Sequence, residues 1–122
     1  MEIVHANDLP LEEKQSSGRV GTYRRRVVLR GEPGSAGNFS LIIYYQNGSF
    51  HSPRHRHNFD QFRFQIEGEE DFDLNGKMTQ GVLGYFPEGA LYGPQSGPPH
   101  TVAVLQCEIG RASCRERVLN LV

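Results

Sequence analysis

The 122-residue chain has no apolar run approaching the roughly 18 residues that a membrane span needs. Its opening, Met1-Glu2-Ile3-Val4-His5, lacks the basic-then-apolar pattern of a secretory signal, so a cytoplasmic location is expected. Charge of either sign is in short excess: 13 basic against 14 acidic residues give −1, which excludes a general drive toward nucleic acid or an anionic membrane. There are two cysteines, Cys107 and Cys114, and they form no metal or redox motif. Helical periodicity is not sustained over three turns anywhere. Asn47-Gly48-Ser49 matches a glycosylation sequon, but without a secretion signal Asn-Gly reads as a turn.

What is present is turn chemistry and alternation. Fourteen glycines and seven prolines punctuate short β-rich runs, as in an all-β chain. Strands are predicted over 20–29, 39–46, 61–67, 81–86 and 101–106, with a hairpin over 71–79 turning at Asn75-Gly76. Ile3, Val4 and Leu9 suit a short strand laid along a neighbour, and 12–18 reads as a polar loop. Arg24, Arg25 and Arg26 fit a solvated strand face with charge pairing better than a phosphate-binding patch. Tyr44, Tyr45, Tyr85 and Phe86 read as core or pocket wall. Some seven short strands suggest a sandwich or barrel.

The chemistry concentrates in Ser52-Pro53-Arg54-His55-Arg56-His57-Asn58-Phe59-Asp60-Gln61. His51, His55 and His57, three of the five histidines, fall within seven residues. In an extended segment His55, His57 and Gln61 share a parity and point to one side, and two imidazoles so spaced can grip one metal ion. His51 and His5 read as bystanders. Arg63 and Gln65 share that parity too, and either line a pocket or exit to solvent. An inward arginine would favour an anionic ligand.

Two motifs here resemble those of the cupins, small jelly-roll β-barrels. The first is His55, His57, Gln61 and Gly68, where the family has two histidines, an acid and a glycine. The second is Gly81, Pro87, Gly89 and Tyr92, where the family ends on a histidine. The resemblance covers about 38–107. It implies an all-β, cupin-type jelly-roll β-barrel that binds a small molecule in its interior and dimerises with a second copy. It also implies a divalent metal (Fe, Mn, Ni or Zn) on His55, His57, Gln61 and Tyr92, as in a metal-dependent oxygenase, isomerase or lyase. Gln61 offers a neutral carbonyl where a carboxylate is usual, and Tyr92 binds only if a metal lowers its pKa from about 10. Tyr92 is also the candidate catalytic acid or base, given a lowered pKa. Arg63, Gln65 and His100 are the candidate ligand-pocket residues, His100 as a stand-in for the missing third histidine. A metal-free binding or sensing module is the alternative, and a purely structural cluster a third reading. With Arg63 and Gln65 inside, Phe62, Phe64 and Ile66 face outward and need cover, from a second copy or from the N-terminal segment.

The expected organisation is an N-terminal segment, 1–19, a β-barrel domain, 20–107, and a tail, 108–122, foreign to it. Residues 108–118 resemble, codon by codon, the conceptual translation of a short-read sequencing adapter. On that reading the barrel is truncated before its last strand or strands, and the strand over 101–106 is left as an unpaired, aggregation-prone edge.

Overall fold

The computed structural model describes residues 1–16, 18–32 and 38–108. Of the tail predicted over 108–122, Glu108 ends the last strand and the rest lies outside the described residues. Eight strands follow in order: β1 (Glu12–Lys14), β2 (Tyr23–Arg30), β3 (Phe39–Gln46), β4 (Phe59–Glu67), β5 (Glu70–Asp71), β6 (Lys77–Met78), β7 (Leu83–Phe86) and β8 (His100–Glu108). The helical content among the described residues is two 3-10 turns, Ala6–Asp8 and Asp73–Asn75. None of it is long and apolar enough to cross a membrane.

Six strands form one antiparallel sheet in the order β1-β2-β3-β8-β4-β7. Opposite it lies a second, broken layer. The β5–β6 pair belongs to it, and single backbone bridges extend it from Asp71 to Ser96, from Gln95 to Ser52 and from His51 to Val20. Alternation sorts the side chains of the large sheet. Ile42, Val102 and Val104 are buried on the inner face, opposite one another in register (Ile42 with Val104, Gln65 with Val102). Phe72, Met78 and Tyr92 form the core of the second layer, with Phe86 packed on them. Along β4, Gln61, Arg63 and Gln65 turn inward while Phe64 and Ile66 turn out, the parity the sequence predicts.

Four expectations change. Glu12–Lys14, read as loop, is β1, because Glu12 pairs in register with Arg25 and reaches its guanidinium at 3.7 Å. The 71–79 hairpin does not turn on two residues; a 3-10 turn at Asp73–Asn75 widens it, with Asp73 at φ +54°. Tyr45 and Tyr85 are outer-face residues rather than pocket wall: Tyr45 accepts a hydrogen bond from Arg26 (2.8 Å), and Tyr85 stacks on Phe62. Finally, β8 is no edge. It hydrogen-bonds to β3 on one side and β4 on the other, so the sheet's edges are β1 and β7.

Gly68 marks where the chain leaves β4 for the second layer. Its φ is +72°, and a Cβ there would sit 2.6 Å from the Pro99 carbonyl oxygen and 2.8 Å from the His100 Cβ. Gly76 has an equally positive φ (+95°) but open space around it. Gly68→Ala is therefore expected to cost about 2 kcal/mol or more, and Gly76→Ala clearly less. Urea unfolding of both variants checks this, and equal losses would remove the close approach as the reason for Gly68.

Candidate functional site

Backbone pairing assembles the site. His55 and Tyr92 exchange two backbone hydrogen bonds (both 3.0 Å), and Ser52 and Gln95 exchange two more (3.0 and 2.8 Å). The two motif segments thus run side by side, although 37 residues separate His55 from Tyr92 in sequence. Their side chains meet: His55 Nε2 lies 3.1 Å from His57 Nε2 and 3.1 Å from the Tyr92 hydroxyl. His57 stacks on Phe59, with ring centroids 4.5 Å apart.

The surroundings fix the tautomer of His55. Its Nδ1 lies 2.6 Å from the Pro53 carbonyl oxygen, which can only accept, so Nδ1 carries the proton. In the neutral ring, Nε2 then presents its lone pair to His57 and Tyr92. Burial holds both imidazoles below their ordinary pKa. His57 is pushed down to about 4, by desolvation first and then by the charges of His55, Arg63 and Arg19. His55 is lowered by desolvation, against the backbone hydrogen bond to Pro53. Two neutral nitrogens 3.1 Å apart have the spacing of neighbouring ligands on one ion with bonds of about 2.1 Å.

The other candidates are placed differently. Gln61 lines the same cavity, but its Oε1 accepts from Arg63 Nε (2.7 Å) and its amide donates to Gln106 (3.3 Å). Its carbonyl oxygen thus already accepts one hydrogen bond, with one lone pair remaining. Tyr92 is buried, and burial raises its hydroxyl above the ordinary value despite the opposing charge of Arg63. Without a metal ion beside it, Tyr92 therefore keeps its proton and donates a hydrogen bond to His55 Nε2, and the lowered pKa of an acid–base or phenolate role requires a metal to supply it. Among the described residues, no group of three or more His, Cys, Asp and Glu side chains is placed to hold a metal.

Arg63 faces inward, yet its charge is matched. Glu70, fully buried at 0% exposure, meets Arg63 Nη1 with both oxygens (3.3 and 3.1 Å). Gln95 donates to the same carboxylate at 2.6 Å. Burial alone would raise the Glu70 carboxyl, but Arg63 and the polar hydrogens around it bring it below the ordinary value. The Phe72, Phe86 and Tyr92 rings surround the guanidinium at 5.5–6.0 Å. His100 stands behind this pair rather than at the histidine cluster: Nδ1 donates to the Pro98 carbonyl (2.8 Å), and Nε2 is 3.7 Å from Glu70. Gln65 is fully buried and donates to the Glu67 carbonyl (3.2 Å). Neither His100 nor Gln65 lines the cavity, since the Glu70 side of the barrel absorbs both.

That cavity has a volume of about 260 Å³. His55, His57, Gln61 and Arg63 line it on one side, and Tyr23, Tyr44, Phe50 and Val102 on another. Gln46 adds a buried amide oxygen with no hydrogen-bond partner. The sequence reading missed Arg19, Glu70 and Gln95. Arg19 lines the cavity from the N-terminal segment, and the acid Glu70 lies outside both motifs. Glu70 carried one usable signal, since an inward arginine on β4 demands a buried acid nearby.

Two outcomes follow. Glu70→Gln leaves Arg63 buried without its counter-charge and should cost about 3–5 kcal/mol, whereas the Arg63→Met/Glu70→Leu double variant should recover most of it. Denaturant unfolding of the pair tests this. His57 is neutral in the folded chain, with its pKa depressed from about 6.5 to about 4, so between these values the unfolded chain binds more protons. Stability is expected to fall as pH drops from about 6.5 toward 4. His57→Gln should flatten that part of the profile in thermal melts taken across pH.

No protein-family model matches the chain. No curated protein matches it in sequence either. Solved structures do. An RmlC-like cupin from Ralstonia eutropha JMP134 is 15% identical, with a TM-score of 0.70 over 88% of this chain and 68% of that one. An acetylacetone dioxygenase from Acinetobacter johnsonii is 13% identical, with a TM-score of 0.67 over 86% and 71%. The polyketide cyclase RemF from Streptomyces resistomycificus is 21% identical, with a TM-score of 0.65 over 87% and 77%. Given the two-layered strand order, the paired His55 and Tyr92 segments and these likenesses, the chain has the jelly-roll fold of the RmlC-like cupins.

Proposed function

We propose that the barrel interior holds a divalent metal ion through His55 and His57 and binds a small molecule in the adjoining cavity. One observation carries this reading: the hydrogen bond from His55 Nδ1 to Pro53 leaves the His55 Nε2 lone pair facing His57 Nε2 at 3.1 Å. A backbone carbonyl fixing the far nitrogen is the usual support for a metal-ligating histidine. The donor set is neutral, which suits Zn, Ni, Fe or Mn held loosely, with remaining positions left to water or ligand. A bound ion would polarise a carbonyl or carboxylate of the ligand. The chain's own residues do the rest. Tyr92 donates to the His55 Nε2 lone pair when no ion occupies it, Gln61 and Gln106 form the polar wall, and the unpartnered Gln46 oxygen awaits a donor from the ligand. That a dioxygenase and a cyclase are among the structural neighbours supports reading the metal-bound form as an oxygenase, isomerase or lyase, without selecting one.

The engaged Gln61 oxygen and the protonated Tyr92 favour a second reading, a metal-free binding or sensing module. Metal analysis separates the two. Protein stripped with chelator and reloaded should take up one ion per chain, and His55→Ala/His57→Ala should lose it. Tyr92→Phe should hold metal to within about threefold, because a neutral phenol contributes little as a ligand. A parent chain that stays metal-free would leave the module reading standing.

We further propose a homodimer through the outer sheet face. Phe64 (45% exposed), Ile66, Leu83 (64% exposed) and Tyr85 lie together there on β4 and β7, an apolar surface that needs cover. Leu83→Lys with Phe64→Glu should yield a monomer in sedimentation experiments, and an unchanged mass would rule this face out.

A further inference from the structure

The charge that the cavity offers a ligand comes from an unexpected place. Arg63 is matched by Glu70, and Arg25 lies 3.7 Å from Glu12. Among the described residues, no aspartate or glutamate lines the cavity. Arg19 does line it, and among the described residues no carboxylate pairs with it. Its placement is built in. Val20 and His51 exchange two backbone hydrogen bonds (3.0 and 2.8 Å), which lay Arg19 beside Ser52, and Arg19 Nε donates to Ser52 Oγ at 3.0 Å. That bond orients the guanidinium and leaves its two terminal nitrogens for another acceptor.

The neighbouring wall is aromatic. Tyr23 meets Tyr44 and Phe50 edge to face, with centroids 5.4 and 5.3 Å apart, and Phe59 stacks behind His57. Val102 closes the floor. At about 260 Å³ the space lies just below the range of drug-sized pockets, so it admits one ring with a small polar group.

We infer that Arg19 is the anion-binding residue of this cavity, and that the ligand is a compact monocarboxylate with a flat apolar body. The carboxylate takes the terminal nitrogens of Arg19, and the body lies against Tyr23, Tyr44 and Phe50. This deepens the small-molecule half of the proposed function and rests on that cavity, not on a bound metal.

Titration calorimetry on chelator-treated protein tests it, with benzoate as the probe and benzamide as its neutral isostere. Benzoate should bind saturably and at least about tenfold more tightly than benzamide. Arg19→Gln should weaken benzoate by about tenfold to a hundredfold, the size expected for a charge-assisted hydrogen bond, and leave benzamide unchanged. Arg19→Lys should fall between them. Metal uptake by Arg19→Gln should match the parent. Arg19-dependent benzoate binding in a chain that takes no metal would sustain this inference while sinking the metal site. Absent benzoate binding, equal binding of benzamide, or indifference to Arg19→Gln would overturn it even if metal binds.

Discussion

The Arg63–Glu70 pair joins the two layers of the barrel. Arg63 projects from β4 in the large sheet, and Glu70 from β5 in the small one. Two opposite charges buried this deeply are tolerable only if each is nearly fully satisfied. Glu70 is met by Arg63 and by Gln95, and the guanidinium is boxed by three aromatic rings and by Gln61. Removing either charge strands the other, so the pair specifies how the layers face each other as well as adding to their cohesion. It also reaches into the site. Gln61 gives its carbonyl to Arg63, so a residue at the position of a metal-binding carboxylate instead serves the barrel's internal framework.

This division of labour explains the electrostatics of the cavity. With Arg63 cancelled, the remaining charge lies on Arg19. The histidine cluster is made of neutral groups: a low-pKa imidazole at His57, a lone pair fixed by Pro53 at His55, and a phenol that keeps its proton at Tyr92. Neutral donors and one cation on the polar side, facing an aromatic wall, give the cavity two unlike sides for the polar and apolar parts of a ligand.

Much of this was legible in the sequence. The bounds of β3 were readable from a dense β-branched and aromatic run, and the two faces of β4 from strict alternation between Gln61 and Ile66, though not which of them turns inward. The His55 and Tyr92 pairing followed from the resemblance of two spaced motifs. What escaped has a common physical character. Arg19 enters the cavity through a single backbone bridge from a segment with no hydrophobic pattern, and Glu70 lies on a two-residue strand too short to show a period. His100 had the right chemistry but a carbonyl of its own two residues back, at Pro98, which holds its ring near Glu70. The β1 strand was hidden because its residues, Glu-Glu-Lys, carry charge rather than strand propensity, and pairing with Arg25 overrides that. Long-range partners decide each of these, and local sequence does not encode them.

The central seat of β8 reaches beyond the finished structure. Its partners β3 and β4 begin at Phe39 and Phe59, while β8 itself spans His100–Glu108, the last described strand. Until it arrives, those two strands have no common neighbour, and the large sheet exists only as separate halves. Closure over such sequence distances is slow by the standards of local structure, on the order of milliseconds to seconds. On a ribosome, the emerging chain would therefore wait with its apolar inner strands uncovered until residue 108 had cleared the exit tunnel, so the sheet should form after synthesis of β8 and not progressively along the chain.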